Sequence, residues 1–314
     1  MSFINEAKIV VDKPLFHSGC TLGEGPLYDP VTATLHFVDI AEKKIHHFNT
    51  VDFTITTEQY DVPITSLVLR QNASGLACTT AKGFALLNSD GSLEYLVQPL
   101  RDEHVPFTRF NDGACDAKGR YLAGTVYSPE HGIPGKLYQY DPSHGTCKIV
   151  DEGPFTDSNG LGWSPDGKVF YFTDSIRNHI YVYDYDVDQG TLSNRRMLID
   201  AKQLGYGGFC DGLCVDTDGG IWSARWGDSR ICRFTSSGVV DLEIVFPTVL
   251  NVTSCCFGGP DNDKLYVTSS HCGAMGGDSS LQQKYPDSGH IFVVDLSGRF
   301  KGRERYPFAE VKLE

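Results

Sequence analysis

Four positions along the chain join a side-chain oxygen donor to a glycine: Glu24-Gly25, Asn111-Asp112-Gly113, Asn159-Gly160 and Asp211-Gly212. Two carboxylates and two amides gathered in one confined place repel or go unsatisfied, and a divalent cation relieves both problems. Oxygen donors of this kind suit calcium, magnesium or manganese, and zinc or iron where carboxylate and water complete the shell. Arg109 stands two residues before Asn111, on the same side of an extended chain, and its fixed fork of donors suits a hydroxyl-rich or carboxylate-bearing ligand. Each pattern also has a plainer reading. Asn-Gly and Asp-Gly are turn dipeptides whose backbones tolerate positive φ, and an arginine in an acidic chain is often a surface ion pair. Glu24, however, is a poor turn residue, and the four positions share one register.

That register belongs to a repeat. Six blocks begin near Glu24, Thr65, Asn111, Asn159, Asp211 and Thr253. Each has an apolar run, a turn rich in Asp, Asn, Gly or Pro, and a second run with β-branched and aromatic residues at alternating positions, which is a β-hairpin. A second pair of strands follows in most blocks, as in Lys44-Ile45-His46-His47-Phe48 with residues 55–60. Four strands repeated at roughly 40–50 residues predict an all-β chain: a six-bladed β-propeller with one four-stranded antiparallel sheet per blade. We expect residues 1–314 to form one such domain. The innermost strands of a propeller surround a channel, so Glu24, Asn111, Asn159 and Asp211 converge on one mouth from blades one, three, four and five. Blades two and six carry Thr65-Ser66 and Thr253-Ser254 in that register. Residues 7–11 and 290–296 both read as strands, which predicts that the N-terminal strand completes the last blade and removes two open edges.

The net charge of −13 argues against a nucleic-acid partner, which needs clustered Lys and Arg. No apolar run reaches the length of a membrane span, and MSFINEAKIVVDK lacks the basic region and apolar core of a signal peptide, so the expectation is a cytoplasmic protein with no membrane partner. The ten cysteines include no CxxC and no zinc spacing, and are expected to be buried, reduced thiols. The ten histidines form no motif and read as surface or structural residues, with His271 falling near the channel end of blade six.

With these residues in view, the chain resembles the senescence marker protein/gluconolactonase/luciferin-regenerating enzyme family. The matching strings are Leu22-Gly-Glu-Gly-Pro26, Arg109-Phe-Asn-Asp-Gly113 with Gly119-Arg-Tyr-Leu-Ala-Gly-Thr125, Ser158-Asn-Gly-Leu161, Asp211-Gly-Leu-Cys-Val-Asp216 and Thr253-Ser-Cys-Cys-Phe-Gly-Gly259. The resemblance implies one catalytic divalent metal at the channel mouth, with Glu24, Asn159 and Asp211 as its protein ligands. It places Arg109 and Asn111 at positions that contact sugar hydroxyls. A further acidic substrate contact falls near Ser128-Pro129-Glu130, where TVYSPEHGIPGK departs from the family pattern and Glu130 is the available carboxylate. The implied activity is metal-dependent hydrolysis of a sugar (aldono-) lactone to the aldonic acid, with Asp211 accepting a proton from the attacking water and a small-molecule sugar lactone as the binding partner. The reading from a different class is a non-catalytic calcium-binding or regulatory protein.

Overall fold

Hairpins follow one another along the chain, and each pair of hairpins closes into one sheet. The computed structural model describes residues 7–72, 74–88 and 90–310. These form six sheets whose strand order follows the chain except for the N-terminal strand: four sheets have four strands, the fifth has five and the sixth has three. The inner strands are Gly23–Asp29, Ile64–Leu69, Phe110–Cys115, Ser158–Trp163, Phe209–Val215 and Asn251–Gly258. Each packs against the next, and Asn251–Gly258 returns to Gly23–Asp29, which makes the ring of a six-bladed propeller. Burial falls outward along each blade. Second strands such as Leu76–Thr80 and Tyr121–Thr125 are buried throughout, whereas the outermost Ile55–Gln59 and Thr191–Asp200 are largely exposed.

The core is divided into six clusters, one between each pair of consecutive blades. Phe110, Tyr121 and Tyr138 of blade three meet Val68, Phe84 and Leu86 of blade two. Tyr28, Phe37 and Phe48 of blade one meet Cys256, Tyr266 and Ile291 of blade six and so close the circle. Buried ion pairs pin some of the turns. Asp116 accepts Arg120 Nε at 2.7 Å and Tyr185 OH from blade four at 2.5 Å. Asp216 likewise accepts Arg233 Nε at 2.7 Å and Trp222 Nε1 at 2.9 Å. All ten cysteines are free thiols, eight of them buried.

The N-terminal strand departs from expectation. Ala7–Val10 pairs in parallel with Val240–Val245, as the fifth, outer strand of blade five, and does not complete blade six. Blade six is joined instead by the next segment: Leu15 N and Phe16 N donate to Ile291 O at 2.8 and 3.2 Å, and Ile291 N donates to Phe16 O at 3.1 Å. At the far end of the channel, residues 302–309 cross from blade to blade. Gly302 bridges Asp216, Arg305 Nη2 donates to Cys255 O at 3.2 Å, and Phe308 bridges Arg70. A small cavity of about 80 Å³ lies beneath this crossing segment and is lined by Arg305 and Tyr306.

All six inner strands lose register with their neighbour just where the polar residues stand, between Glu24 and Leu27, Ile64 and Ser66, Phe110 and Gly113, Asn159 and Leu161, Cys210 and Leu213, and Val252 and Ser254. A bulge bends a strand and re-aims a side chain. The glycines beside these bulges serve mainly close approach: of the four, only Gly25 has positive φ. A Cβ on Gly160 would lie 2.7 Å from Leu213 N and 2.8 Å from Asp211 O, and one on Gly212 would lie 2.1 Å from Ser254 Oγ. Turn chemistry therefore does not explain Asn159-Gly160 or Asp211-Gly212. Gly160→Ala must push blade four off blade five, and we expect a loss of about 1–3 kcal/mol, the usual range for overpacking. Urea denaturation measures it, and an unchanged midpoint and slope would show that the blades have slack there.

Candidate metal and substrate site

The bulged ends of blades one, three, four and five open on a cavity of about 400 Å³ at the near end of the channel. Glu24, Asn111, Asn159 and Asp211 all line it and all are buried. Arg109, Asp157 and Ser175 complete its polar part, and Arg109 is the only cationic residue in the lining. The positions two residues before the polar register, Leu22, Arg109, Asp157 and Phe209, all reach the same cavity, as strand alternation requires. The plain surface-ion-pair reading of Arg109 fails here.

Hydrogen bonds hold the polar side chains in place. Arg109 Nη1 donates to Asn111 Oδ1 at 2.5 Å and to its neighbour's carbonyl, Phe110 O, at 3.0 Å. Asn111 Nδ2 donates to Ser158 O at 2.9 Å and to Asp157 Oδ1 at 3.3 Å, which ties blade three to blade four. Asn159 donates Nδ2 to Ser175 Oγ at 2.8 Å, which leaves its carbonyl oxygen for another partner. Glu24 Oε2 accepts the Gly25 N–H at 3.2 Å. Asp211 Oδ1 is buried and has no hydrogen-bond partner among the described residues.

The electrostatics are one-sided. Burial pushes the Glu24 carboxyl up to about 8, reinforced by the charge of Asp112. Asp211 is driven well above the carboxylate range by burial and then by the charges of Glu24, Asp157 and Asp112. Asp157 rises to about 6 through burial, with Arg109 pulling it back. Asp112 also rises through burial, opposed by Arg305 from the far end of the channel. Burial in turn lowers the pKa of Arg109. A surplus of desolvated carboxylates, one of them with an orphaned oxygen, is what a divalent cation compensates. The donors Glu24, Asn159 and Asp211, one from each of three blades, fit a hard or borderline cation with positions left over for water or substrate.

Not every sequence expectation reaches the cavity. Glu130 lies exposed on the short turn Pro129–His131, whose His131 ring stacks on Phe107 at 3.6 Å, and it is not part of the lining. His271 is also outside it and accepts the Gly273 N–H at 3.0 Å. His17, Asp287 and His290 bring one ligand atom each within 4.8 Å of one another, but none lines the cavity. Asp157, Ser175, Phe209 and Trp226 were missed. For Asp157 and Phe209 the signal was present: Asp157-x-Asn159 and Phe209-x-Asp211 repeat the spacing of Arg109-x-Asn111.

Comparison with known proteins agrees with this architecture. The family model "SMP-30/Gluconolactonase/LRE-like region" matches residues 22–271, which include every cavity-lining position before the 274–277 turn. Regucalcin of Sus scrofa is 34% identical over 302 residues, covering 94% of this chain and 97% of its own. Regucalcin of Oryctolagus cuniculus is 35% identical over 297 residues, covering 92% and 95%. Among solved structures, luciferin-regenerating enzyme superposes with a TM-score of 0.85 at 30% identity, covering 96% of this chain and 99% of that one. With its six-bladed ring and a family match over residues 22–271, which reaches strands of all six blades, this chain belongs to the SMP-30/gluconolactonase/LRE-like family.

Proposed function

We propose that the chain hydrolyses a sugar lactone to the open aldonic acid, using a divalent cation held by Glu24, Asn159 and Asp211. The observation that carries this reading is the orphaned, buried Asp211 Oδ1 beside a 400 Å³ cavity in which carboxylates outnumber the single lining arginine. The family match and its regucalcin relatives support it. A calcium-buffering site would close its coordination with protein oxygens, whereas this donor set is sparse and adjoins a substrate-sized space.

When bound, the cation supplies Lewis acidity to the ester carbonyl and to the attacking water. The side chains do the rest. Arg109 donates to ring hydroxyls and Asn111 Oδ1 accepts from one, while the Asn111 amide nitrogen is held by Ser158 O and Asp157, so the ring arrives in a fixed orientation. Asp211 Oδ1, with no other partner, takes the proton of the attacking water. The water oxygen bonds to the carbonyl carbon, the bond from that carbon to the ring oxygen breaks, and the proton passes to the ring oxygen as a hydroxyl. The new carboxylic acid then releases its proton to solvent. Ser175 accepts the Asn159 amide N–H, which would leave the Asn159 carbonyl oxygen free to hold the cation.

Acid release from a panel of aldonolactones, with chelator-stripped protein and each divalent cation restored in turn, tests the proposal. We expect cation-dependent opening of at least one lactone well above its spontaneous rate. Asp211→Asn should lower kcat by about 100-fold or more, while Arg109→Ala should act mainly by raising KM. Folded protein that opens no lactone with any cation would overturn the reading.

The raised carboxylates also set a pH dependence in the stripped protein. With Glu24 near 8 when folded and near the ordinary 4.5 when unfolded, the native state holds a proton between those values that the unfolded chain has released. The native state therefore binds more protons in that window, and stability falls as pH rises through it. We expect the Tm of stripped protein to drop between about pH 4.5 and 8, and this drop to shrink in Glu24→Gln, which removes the titrating group. An equal drop in Glu24→Gln would place the dependence elsewhere.

A further inference from the structure

The cavity wall is divided by chemistry. Blade three contributes Arg109 and Asn111, and blade four contributes Asp157. Apart from the candidate metal donors Glu24, Asn159 and Asp211 and the Ser175 that holds Asn159, the rest of the lining is largely hydrocarbon: Ile176 from the end of blade four, Phe209 from blade five, Met275 from blade six, and Leu22 and Ile40 from blade one. The Met275 turn leans on blade one, where the neighbouring Ala274 packs in the cluster that holds Leu22 and Ile40.

Three of these apolar side chains are strongly exposed: Phe209 at 41%, Ile176 at 48% and Met275 at 68%. Large apolar groups left open and clustered at one concave site mark a surface that a ligand covers. Their presentation is built into the backbone. Phe209 is the ladder partner of Trp226, which lines the cavity beside it. Met275 sits at φ 53°, an uncommon conformation for a non-glycine residue, in a turn continued by Gly276 and Gly277. A hydroxyl pressed against these five side chains would lose its hydration and find no partner in them, and a methyl group loses nothing.

We infer that the natural substrate carries an apolar terminal group, a methyl or short alkyl chain where a fully hydroxylated aldonolactone has hydroxymethyl, and that Phe209, Ile176 and Met275 receive it while Arg109 and Asn111 hold the ring hydroxyls. This inference rests on the lactonase reading above.

The experiment compares matched lactone pairs of one ring size and stereochemistry, differing only in terminal CH3 against CH2OH, with the cation-loaded enzyme. For the stereochemistry that is turned over, kcat/KM should favour the methyl member by about tenfold or more, the usual weight of such a difference in an apolar pocket. Phe209→Asn and Met275→Ser should each bring that ratio toward one, because each places a polar partner in the wall. Val31→Ser, at a residue 91% exposed and outside the cavity, should leave the ratio unchanged. Turnover of both members with a ratio at or below one overturns the inference and leaves the lactonase reading standing. A methyl preference that survives both wall substitutions overturns the assignment to these residues. Turnover of neither member overturns the lactonase reading and the inference with it.

Discussion

Like charges held together in a dry place constrain everything else in this molecule. Burial pushes the carboxyls of Glu24, Asp112, Asp157 and Asp211 upward, Glu24 and Asp211 are raised further by the charges of the others, and only Arg109 answers them from within the lining. Left to themselves, such groups separate or take up protons. They cannot separate here, because each is fixed to the inner strand of its own blade or to the residue before it, and those strands are locked into a closed ring. The repulsion is a property of the fold, and a divalent cation is the cheapest chemical means of relieving it.

The ring keeps this arrangement by spreading its adhesion. Six apolar clusters of comparable kind lie between six pairs of blades, so no single interface bears the strain of the mouth. Closure of the circle between blades six and one is reinforced by backbone bonds from Leu15 and Phe16 to Ile291. The opposite end of the channel is crossed by residues 302–309, and the Arg305 they carry is the cation that offsets Asp112 from below. The larger cavity, of about 400 Å³, lies at the end where the bulges place Glu24, Asn159 and Asp211.

Most of the architecture was legible because its signal is local and repeated. A polar residue and a glycine opening each block located four of the inner strands, and the strand-turn-strand pattern supplied the blades. What the sequence left hidden was non-local. Residues 7–10 read as a strand correctly, but β-propensity does not name a partner, and they joined Val240–Val245 in parallel on blade five. The glycines beside Asn159 and Asp211 looked like turn formers, whereas their reason is a neighbouring blade less than 3 Å from any added Cβ. Glu130 was placed by a loose loop match, and a loop can carry a carboxylate away from the mouth without altering any strand. Asp157 was hidden in plain view, since its role follows from the same two-residue spacing that had singled out Arg109.

The most direct test of the account is the stoichiometry of divalent-cation binding to chelator-stripped protein, measured by calorimetry for the native chain, Glu24→Gln and Asp211→Asn. If crowded carboxylates make the site, the native chain binds one equivalent at the mouth, and each substitution weakens or abolishes that binding. Native-like binding in both variants, or no binding by the native chain, would contradict it.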